Sequence, residues 1–380
     1  MAAPETVYDF AIIGAGIAGT SVAAELADQA SVLLLEMASQ PGYHTTGRSA
    51  AVFAPIYGPQ PIRALTRASA EFFNTPPVDF TQNRLLEPLD VIMLARKDQD
   101  KQLSDFLDEL GSEGGVRRVE HNEILKRHPL IRTEYAHAGA LDTTGSAIDV
   151  HDLHQGYIRS FRKSGGVTQT NATVQALERN NGVWSITAEN GAFKAANVIN
   201  AAGAWADQVG AMAGAEHIGL VPKRRTALIV DAPDGLSTAQ LPLIVDIDEQ
   251  FYMKPDAGRL LISPANEDPM EPCDVQPDEM DIAICVDRIE RAFDIEVRRI
   301  VNKWAGLRSF VADKSPVVGY STTADGFFWL AGQGGYGIQT APALSRCAAA
   351  LALGDAIPTD IVDAALSPSS ITPQRTGLAA

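Results

Sequence analysis

The chain has 380 residues and carries 31 Lys plus Arg against 47 Asp plus Glu, a net charge of −16. So acidic a chain is a poor candidate for general nucleic-acid binding, which needs basic residues to neutralise phosphates. With 46% hydrophobic and 21% charged residues it is an ordinary globular protein, not a long disordered or fibrous one, and its length points to about two domains, successive or interleaved.

The first residues, Met1 to Asp9, lack the basic stretch and apolar run of a signal peptide. No apolar run approaches the roughly 18 residues that span a bilayer. Cys273, Cys285 and Cys347 are widely spaced and form no CxxC pair, which disfavours a disulfide framework or a thiolate zinc site and favours a reducing compartment. A cytoplasmic protein without an integral membrane segment is expected.

Val7 to Ile13 is an apolar run of strand length that leads into Gly14-Ala15-Gly16-Ile17-Ala18-Gly19. Small and apolar residues then recur at helical spacing from Ile17 to Ala27, and Ser31 to Leu35 is a second buried strand ending in Glu36. Strand, glycine turn, helix, strand and acid form the dinucleotide-binding βαβ unit. Gly14 permits the tight turn, Gly16 lets the backbone approach a pyrophosphate at the helix N-terminus, and Gly19 allows close helix-on-strand packing. Glu36, 22 residues after Gly14, would accept hydrogen bonds from ribose hydroxyls. An acid there suits NAD and FAD alike, since neither carries a 2′-phosphate.

Beyond Glu36 the chain continues not with another βα unit but with a glycine- and hydroxyl-rich loop, Gly42 to Ala51, containing Thr46, Gly47, Arg48, Ser49, Ala50 and Ala51. Residues 51–144 mix polar, Pro-containing and helical stretches, among them Lys101 to Leu110. A helix is predicted from Val150 to Arg162, with short strands around Val167 to Ala176 and Val183 to Ala188. Asn197 to Trp205 is an apolar strand ending in small residues, Ala202 and Gly203 before Trp205. Residues 219–303 hold β-rich runs (Ala227 to Val230, Leu243 to Ile247, Phe251 to Lys254, Leu260 to Ile262) and an amphipathic helix near Asp278 to Ala292. Gly332 to Thr340 is a second glycine turn before an Ala-rich helix, and Ser367 to Ala380 has little apolar content and reads as a loose tail.

Taken together, these segments resemble the D-amino-acid oxidase-like FAD-dependent oxidoreductases, a family that includes glycine oxidase and sarcosine oxidase. Within it the chain looks most similar to the bacterial D-arginine dehydrogenases. The similarity runs from about Val7 to Ser367 and is most specific at Pro41 to Ala51, Asp152 to Gly156, Lys223 to Arg225, Phe251 to Gly258, Trp304 to Asp313 and Gly332 to Thr340. It implies an α/β fold in which a Rossmann-like FAD-binding domain with a parallel sheet (residues 1–50, 145–218 and 304–366) is interleaved with an α+β substrate domain. The substrate domain (51–144 and 219–303) would hold a mostly antiparallel sheet, and 367–380 would be the tail.

The implied activity is oxidative deamination of a D-amino acid. A hydride passes from Cα to flavin N5, the imino acid hydrolyses to a 2-oxo acid and ammonia, and a quinone or other carrier reoxidises the flavin. A guanidinium is the best holder of a carboxylate, and Arg308 matches the family's carboxylate-binding arginine. Tyr57 and Tyr252 match two pocket tyrosines and Arg225 a second pocket arginine, against the plainer readings of aromatic packing and a solvated basic turn.

Ser49, Ala50 and Ala51 are placed by the resemblance against the isoalloxazine ring and Val174 at the adenine. Gly334 and Gly335, with Tyr336, Gly337, Ile338, Gln339 and Thr340, fall at the pyrimidine edge, and Gly335 borders the substrate as well. No general base stands out, and water can take the ammonium proton. His151 and His154, three residues apart, lack a third ligand, so no metal is expected. His44 is a possible anchor for a covalent flavin, yet the segment after Arg308 has no Cys where sarcosine oxidase-like members attach theirs, and non-covalent FAD is expected.

Two departures bear on specificity. In a gapless reading Val91 stands where D-arginine dehydrogenase has a glutamate for the cationic side chain, and Val52 replaces a pocket histidine. Both point to neutral, apolar side chains, because a buried guanidinium without a partner is penalised; a one-residue shift would put Asp90 there instead. Alternative activities are oxidation of a secondary amine or a 2-hydroxy acid with oxygen as acceptor, or service as one subunit of a multi-chain amine oxidase.

Overall fold

The computed structural model describes residues 6–111 and 115–378. Its first sheet is a nucleotide-binding layer in which Val32–Leu35, Val7–Ile13, Gly191–Asn200 and Phe327–Ala331 lie side by side and parallel. The run Val7–Ile13 forms a strand because it is rich in β-branched and aromatic residues, and from Phe10 to Ile13 it is buried because both faces are covered. Phe10, Ile12, Val32 and Leu34 pack on one side against the helices Ile17–Leu26 and Gly337–Leu353, whereas Ala11, Ile13, Leu33 and Leu35 pack on the other. The long strand Gly191–Asn200 serves two neighbours: its first half pairs antiparallel with Val183–Ala188 and its last residues pair parallel with Phe327–Ala331. This is an α/β protein with a Rossmann-like layer.

The second sheet has nine strands and is antiparallel except where Leu243–Asp246 runs parallel to Val91–Ala95. Period-two alternation divides its side chains. Ile92, Leu94, Leu228, Val230, Ile244, Met253, Leu260 and Ile262 form a core under the helix Glu279–Ala292, which Asp278 caps by accepting from the Met280 N–H at 2.8 Å. The residues between them, Val91, Met93, Leu243, Val245, Tyr252, Lys254 and Arg225, face the other way and line a cavity. A small sheet of Val52–Phe53, Ser146–Ile148 and Leu86–Pro88 links the two layers.

Three segments differ from the sequence expectations. The stretch Val167 to Ala176 divides into Val167–Gln169, parallel beside Val32–Leu35, and Val174–Asn180, which starts an antiparallel meander. Trp304 does not yet return to the nucleotide layer: Ile300–Phe310 pairs with Val221–Val230 over its whole length, and the chain rejoins the first sheet only at Val317–Tyr320. The segment expected as a loose tail is packed as far as Leu378, its last two residues lying outside the described ones. Ile371 is fully buried beside Val318, whose N–H donates to the Ile371 carbonyl, Leu378 joins the second core, and Arg375 pairs with Asp313. A few well-placed apolar residues suffice to dock a segment that is polar on average.

Candidate active site

An elongated cavity of about 410 Å³ runs from Glu36 at one end to Gly335 at the other, between the two sheets. At the Glu36 end, Gly14 has φ +102° and a Cβ there would stand 2.4 Å from the Ala201 carbonyl oxygen, while a Cβ on Gly19 would meet the Gly14 carbonyl at 1.8 Å. Only glycine fits either position. The roles then separate: Gly14 and Gly16 border the cavity with Ile17 and Ala18, and Gly19 packs the helix onto the turn.

Glu36 is buried, and its carboxylate accepts from the Ala15 and Ala38 backbone N–H groups, both at 2.8 Å. Burial pushes its pKa up despite those bonds. Glu36 therefore holds the glycine turn in shape as well as facing the cavity. His154 does the same from below, its Nε2 bonding the Ala15 carbonyl at 3.0 Å while its ring sits where a Gly42 Cβ would be. His151, three residues earlier on the helix Val150–Lys163, is exposed whereas His154 is buried. Among the described residues no cluster of His, Cys, Asp and Glu is arranged to hold a metal ion.

The Gly42 to Ala51 loop is clamped to the Ile300–Phe310 strand. Thr45 Oγ1 donates to the Leu307 carbonyl at 2.8 Å, Arg48 Nη1 to the carbonyls of Val275 and Ala305, and Trp304 Nε1 donates to the Arg48 carbonyl at 2.8 Å. Arg48 also pairs with Asp274. Thr46 Oγ1 accepts from the Ile17 N–H at 2.9 Å and so closes the first helical turn. Gly47 turns the loop back by donating its N–H to Gly42 and does not reach the cavity itself. Val174, Ala202, Gly203 and Trp205 form the opposite wall, with His44 4.9 Å from the Trp205 ring. Burial, followed by the Arg48 charge, lowers the His44 pKa.

At the far end the cavity opens into a second one of about 90 Å³. Ser49, Ala50, Arg225, Tyr252, Arg308 and Gly335 line both, whereas Ala51, Val52, Tyr57, Val91 and Gln339 line the smaller one. Arg308 and Arg225 come from adjacent antiparallel strands, with Lys223 opposite Arg308 and Gly306 opposite Arg225. Arg225 is buried in a strand, not in a solvated turn; its Nε donates to the Asn266 carbonyl at 2.8 Å and its Nη2 lies 3.3 Å from Glu267.

Burial and then the Arg308 charge lower the Arg225 pKa. Burial also opposes charge on Arg308, but the oxygens of Tyr252, Tyr57, Glu249 and Tyr336 outweigh it and hold its pKa above the ordinary arginine value. Burial and the neighbouring Glu249 push Tyr57 up to about 12, so its hydroxyl stays a donor. Two guanidiniums against the single carboxylate of Glu249 leave this end of the cavity positive, an anion site.

Gly335 is what allows this closeness, since a Cβ there would stand 2.8 Å from Arg308 Nη1. Gly334, Gly337 and Ile338 border the large cavity. Tyr336 instead packs on Tyr57 at 5.3 Å between ring centroids, and Thr340 is buried with its hydroxyl on the Tyr336 carbonyl. Gln339 accepts the Ala54 N–H at 3.0 Å, which leaves its Nε2, like Ser309 Oγ, buried without a protein partner. Those orphaned groups, the bare glycine turns and the length of the cavity fit a flavin dinucleotide.

The family model for FAD dependent oxidoreductases, DAO, matches residues 9–351. This chain belongs to that family. FAD is its cofactor, and the glycine-lined cavity is where this family member would hold it. Glycine oxidase of Bacillus licheniformis is 24% identical over 375 residues, 94% of this chain and 96% of that protein. Human mitochondrial dimethylglycine dehydrogenase is 25% identical over 265 residues; the match takes in 64% of this chain and only 30% of that longer protein. The FAD-bound L-alpha-glycerophosphate oxidase of Mycoplasma pneumoniae superposes with a TM-score of 0.81 at 18% identity, covering 92% of this chain and 95% of that one, a likeness of fold.

The structure decides the register question left by the sequence. Val91 is buried on the cavity wall, whereas the Asp90 carboxylate turns away to Arg127 Nη1 at 2.8 Å. Two charged residues of the smaller cavity's wall were not anticipated, Glu249 and Lys254. For Lys254 a signal existed: it is two residues from Tyr252 in a strand, hence on the same face. For Glu249, held at φ +53° in the turn before that strand, periodicity offers none.

Proposed function

We propose that this protein oxidises D-amino acids to imino acids, which water hydrolyses to 2-oxo acids and ammonia, with neutral, apolar side chains favoured over cationic ones. The observation that carries the reading is the cluster of Arg308, Arg225, Tyr57 and Tyr252 where the two cavities meet. There Arg308 holds the substrate carboxylate through two of its guanidinium nitrogens, Tyr57 and Tyr252 donate to it, and Arg225 adds a second positive charge. Non-covalently bound FAD supplies the two-electron acceptor for the hydride that leaves Cα. The amine reacts in its neutral form, its proton going to water, so no protein base is required.

Val52 and Val91 on the wall support the side-chain preference, and the resemblance to D-arginine dehydrogenases supports the D configuration. The same resemblance suggests a quinone or another carrier as electron acceptor, and the three free cysteines fit the cytoplasm. Among the described residues no helix is long and apolar enough to cross a membrane. The full-length match to a glycine oxidase favours a second reading, oxidation of glycine or an N-substituted glycine.

Anaerobic titration decides between these while the flavin spectrum is recorded. D-leucine and D-methionine should bleach the flavin, and their L-enantiomers should not. Bleaching by glycine or sarcosine alone establishes the second reading, and bleaching by 2-hydroxy acids alone overturns both. Peroxide release in air reports oxygen as the acceptor.

A further inference from the structure

Lys254 stands out on the wall of the smaller cavity. Its side chain is only 9% exposed and its neighbours on that wall include Val91, Met93, Leu243 and Val245. The nearest carboxylate, Asp256, lies 3.9 Å from Nζ, too far for a hydrogen bond, and is itself 41% exposed. An ammonium so enclosed and so weakly paired is costly to keep, and burial lowers its pKa accordingly.

Its position is set by the strand Tyr252–Asp256. Met253 points into the opposite core, so Tyr252 and Lys254 share the cavity face, roughly 7 Å apart along the strand. Tyr252 lines both cavities and stands with Arg308; Lys254 lines only the smaller one. The charged groups separate in the same way. Glu249 acts on Tyr57, Tyr336, Arg225 and Arg308, whereas the charge acting on Lys254 is that of Asp256. Arg225 is already bonded to Asn266 and Glu267.

We propose that Lys254 is a specificity residue which favours substrates whose side chain ends in a carboxylate, with the α-carboxylate on Arg308 and the distal one on the Lys254 ammonium. Aspartate and glutamate, which carry such a second carboxylate, are the substrates this assignment names. This rests on the proposed amino-acid oxidation for the Arg308 end and takes it one step further: the pocket does more than exclude cations, since it holds a cation of its own to answer a second acid.

The test uses the FAD-loaded protein and two unreactive probes, glutarate and pentanoate, which differ by one carboxylate and whose binding is read from the flavin absorbance. Wild type should bind glutarate the more tightly, and Lys254→Met should lower the glutarate-to-pentanoate affinity ratio by about tenfold or more. In turnover the D-glutamate-to-D-leucine ratio of kcat/KM should fall with it. Equal affinity for the two probes in wild type overturns the proposal without any variant, and so does a ratio unchanged in Lys254→Met. If no D-amino acid is oxidised but glutarate binding still depends on Lys254, the D-amino-acid reading fails while this one stands.

Discussion

Replacing Arg308 by lysine keeps the charge and removes the fork. In the structure the guanidinium is wedged against bare backbone, since a Cβ on Gly335 would lie 2.8 Å from Nη1 and 3.1 Å from Cζ. Tyr252, Tyr57, Glu249 and Tyr336 act on it electrostatically and favour its charge. A lysine ammonium is a point charge that cannot make two parallel bonds to a carboxylate, and it lacks the planar width that fills the space beside Gly335. Truncating one side of a buried charge pair costs on the order of 2–4 kcal/mol, or about 30- to 1,000-fold in affinity. The assay is the dissociation constant of an unreactive carboxylate, read from the flavin absorbance, together with kcat/KM for a D-amino acid. FAD content should remain stoichiometric, because the glycine turn from Gly14 to Gly19 and Glu36 lie at the other end of the cavity. A dissociation constant and kcat/KM within about twofold of wild type would refute the placement of the substrate carboxylate at Arg308.

Three further outcomes are expected. Val91→Glu should raise kcat/KM for D-arginine relative to D-leucine, because Val91 is on the cavity wall and a carboxylate there supplies the missing partner for a guanidinium; an unchanged ratio would show that the side chain does not reach this wall. Acid precipitation should release the flavin into the supernatant, and flavin retained in the pellet would show a covalent link, with His44 the first residue to inspect. His128 is buried against Phe293, its Nδ1 has no protein partner, and burial lowers its pKa to about 4. The unfolded chain takes up this proton near pH 6.5, so stability is fully present above that pH and falls as the pH drops towards 4, by about 3 kcal/mol from this residue. Urea denaturation at pH 7.5 and pH 4.5 should therefore show a smaller loss for His128→Leu than for wild type, and equal losses would sink the argument.

Much of this protein is written in local pattern. The strand from Val7, the glycine turn, the helix and Glu36 could be read directly, because each needs a residue type at a short fixed spacing: glycine where a Cβ would strike a carbonyl, an apolar run where both faces are covered. The helices at Val150 and Glu279 and the strands between Ala227 and Ile262 followed from periodicity in the same way. Arg308, Arg225, Tyr57 and Tyr252, which the resemblance singles out, all line the smaller cavity although they are spread over some 250 residues.

The rest depended on the tertiary structure. Only strand pairing shows that Trp304 to Phe310 belongs beside Val221–Val230, since the sequence of a strand does not name its partner. Only the pleat decides that Val91 faces the cavity while Asp90 turns to Arg127, a difference of one residue that reverses the chemistry of the wall. The docking of Ile371 depends on a hollow formed by distant helices. Lys254 is the sharpest case: composition counts it as one more surface lysine, and it becomes a candidate for recognition because the strands Val91–Ala95 and Leu243–Asp246 place apolar side chains around it and its one nearby acid, Asp256, stands 3.9 Å away.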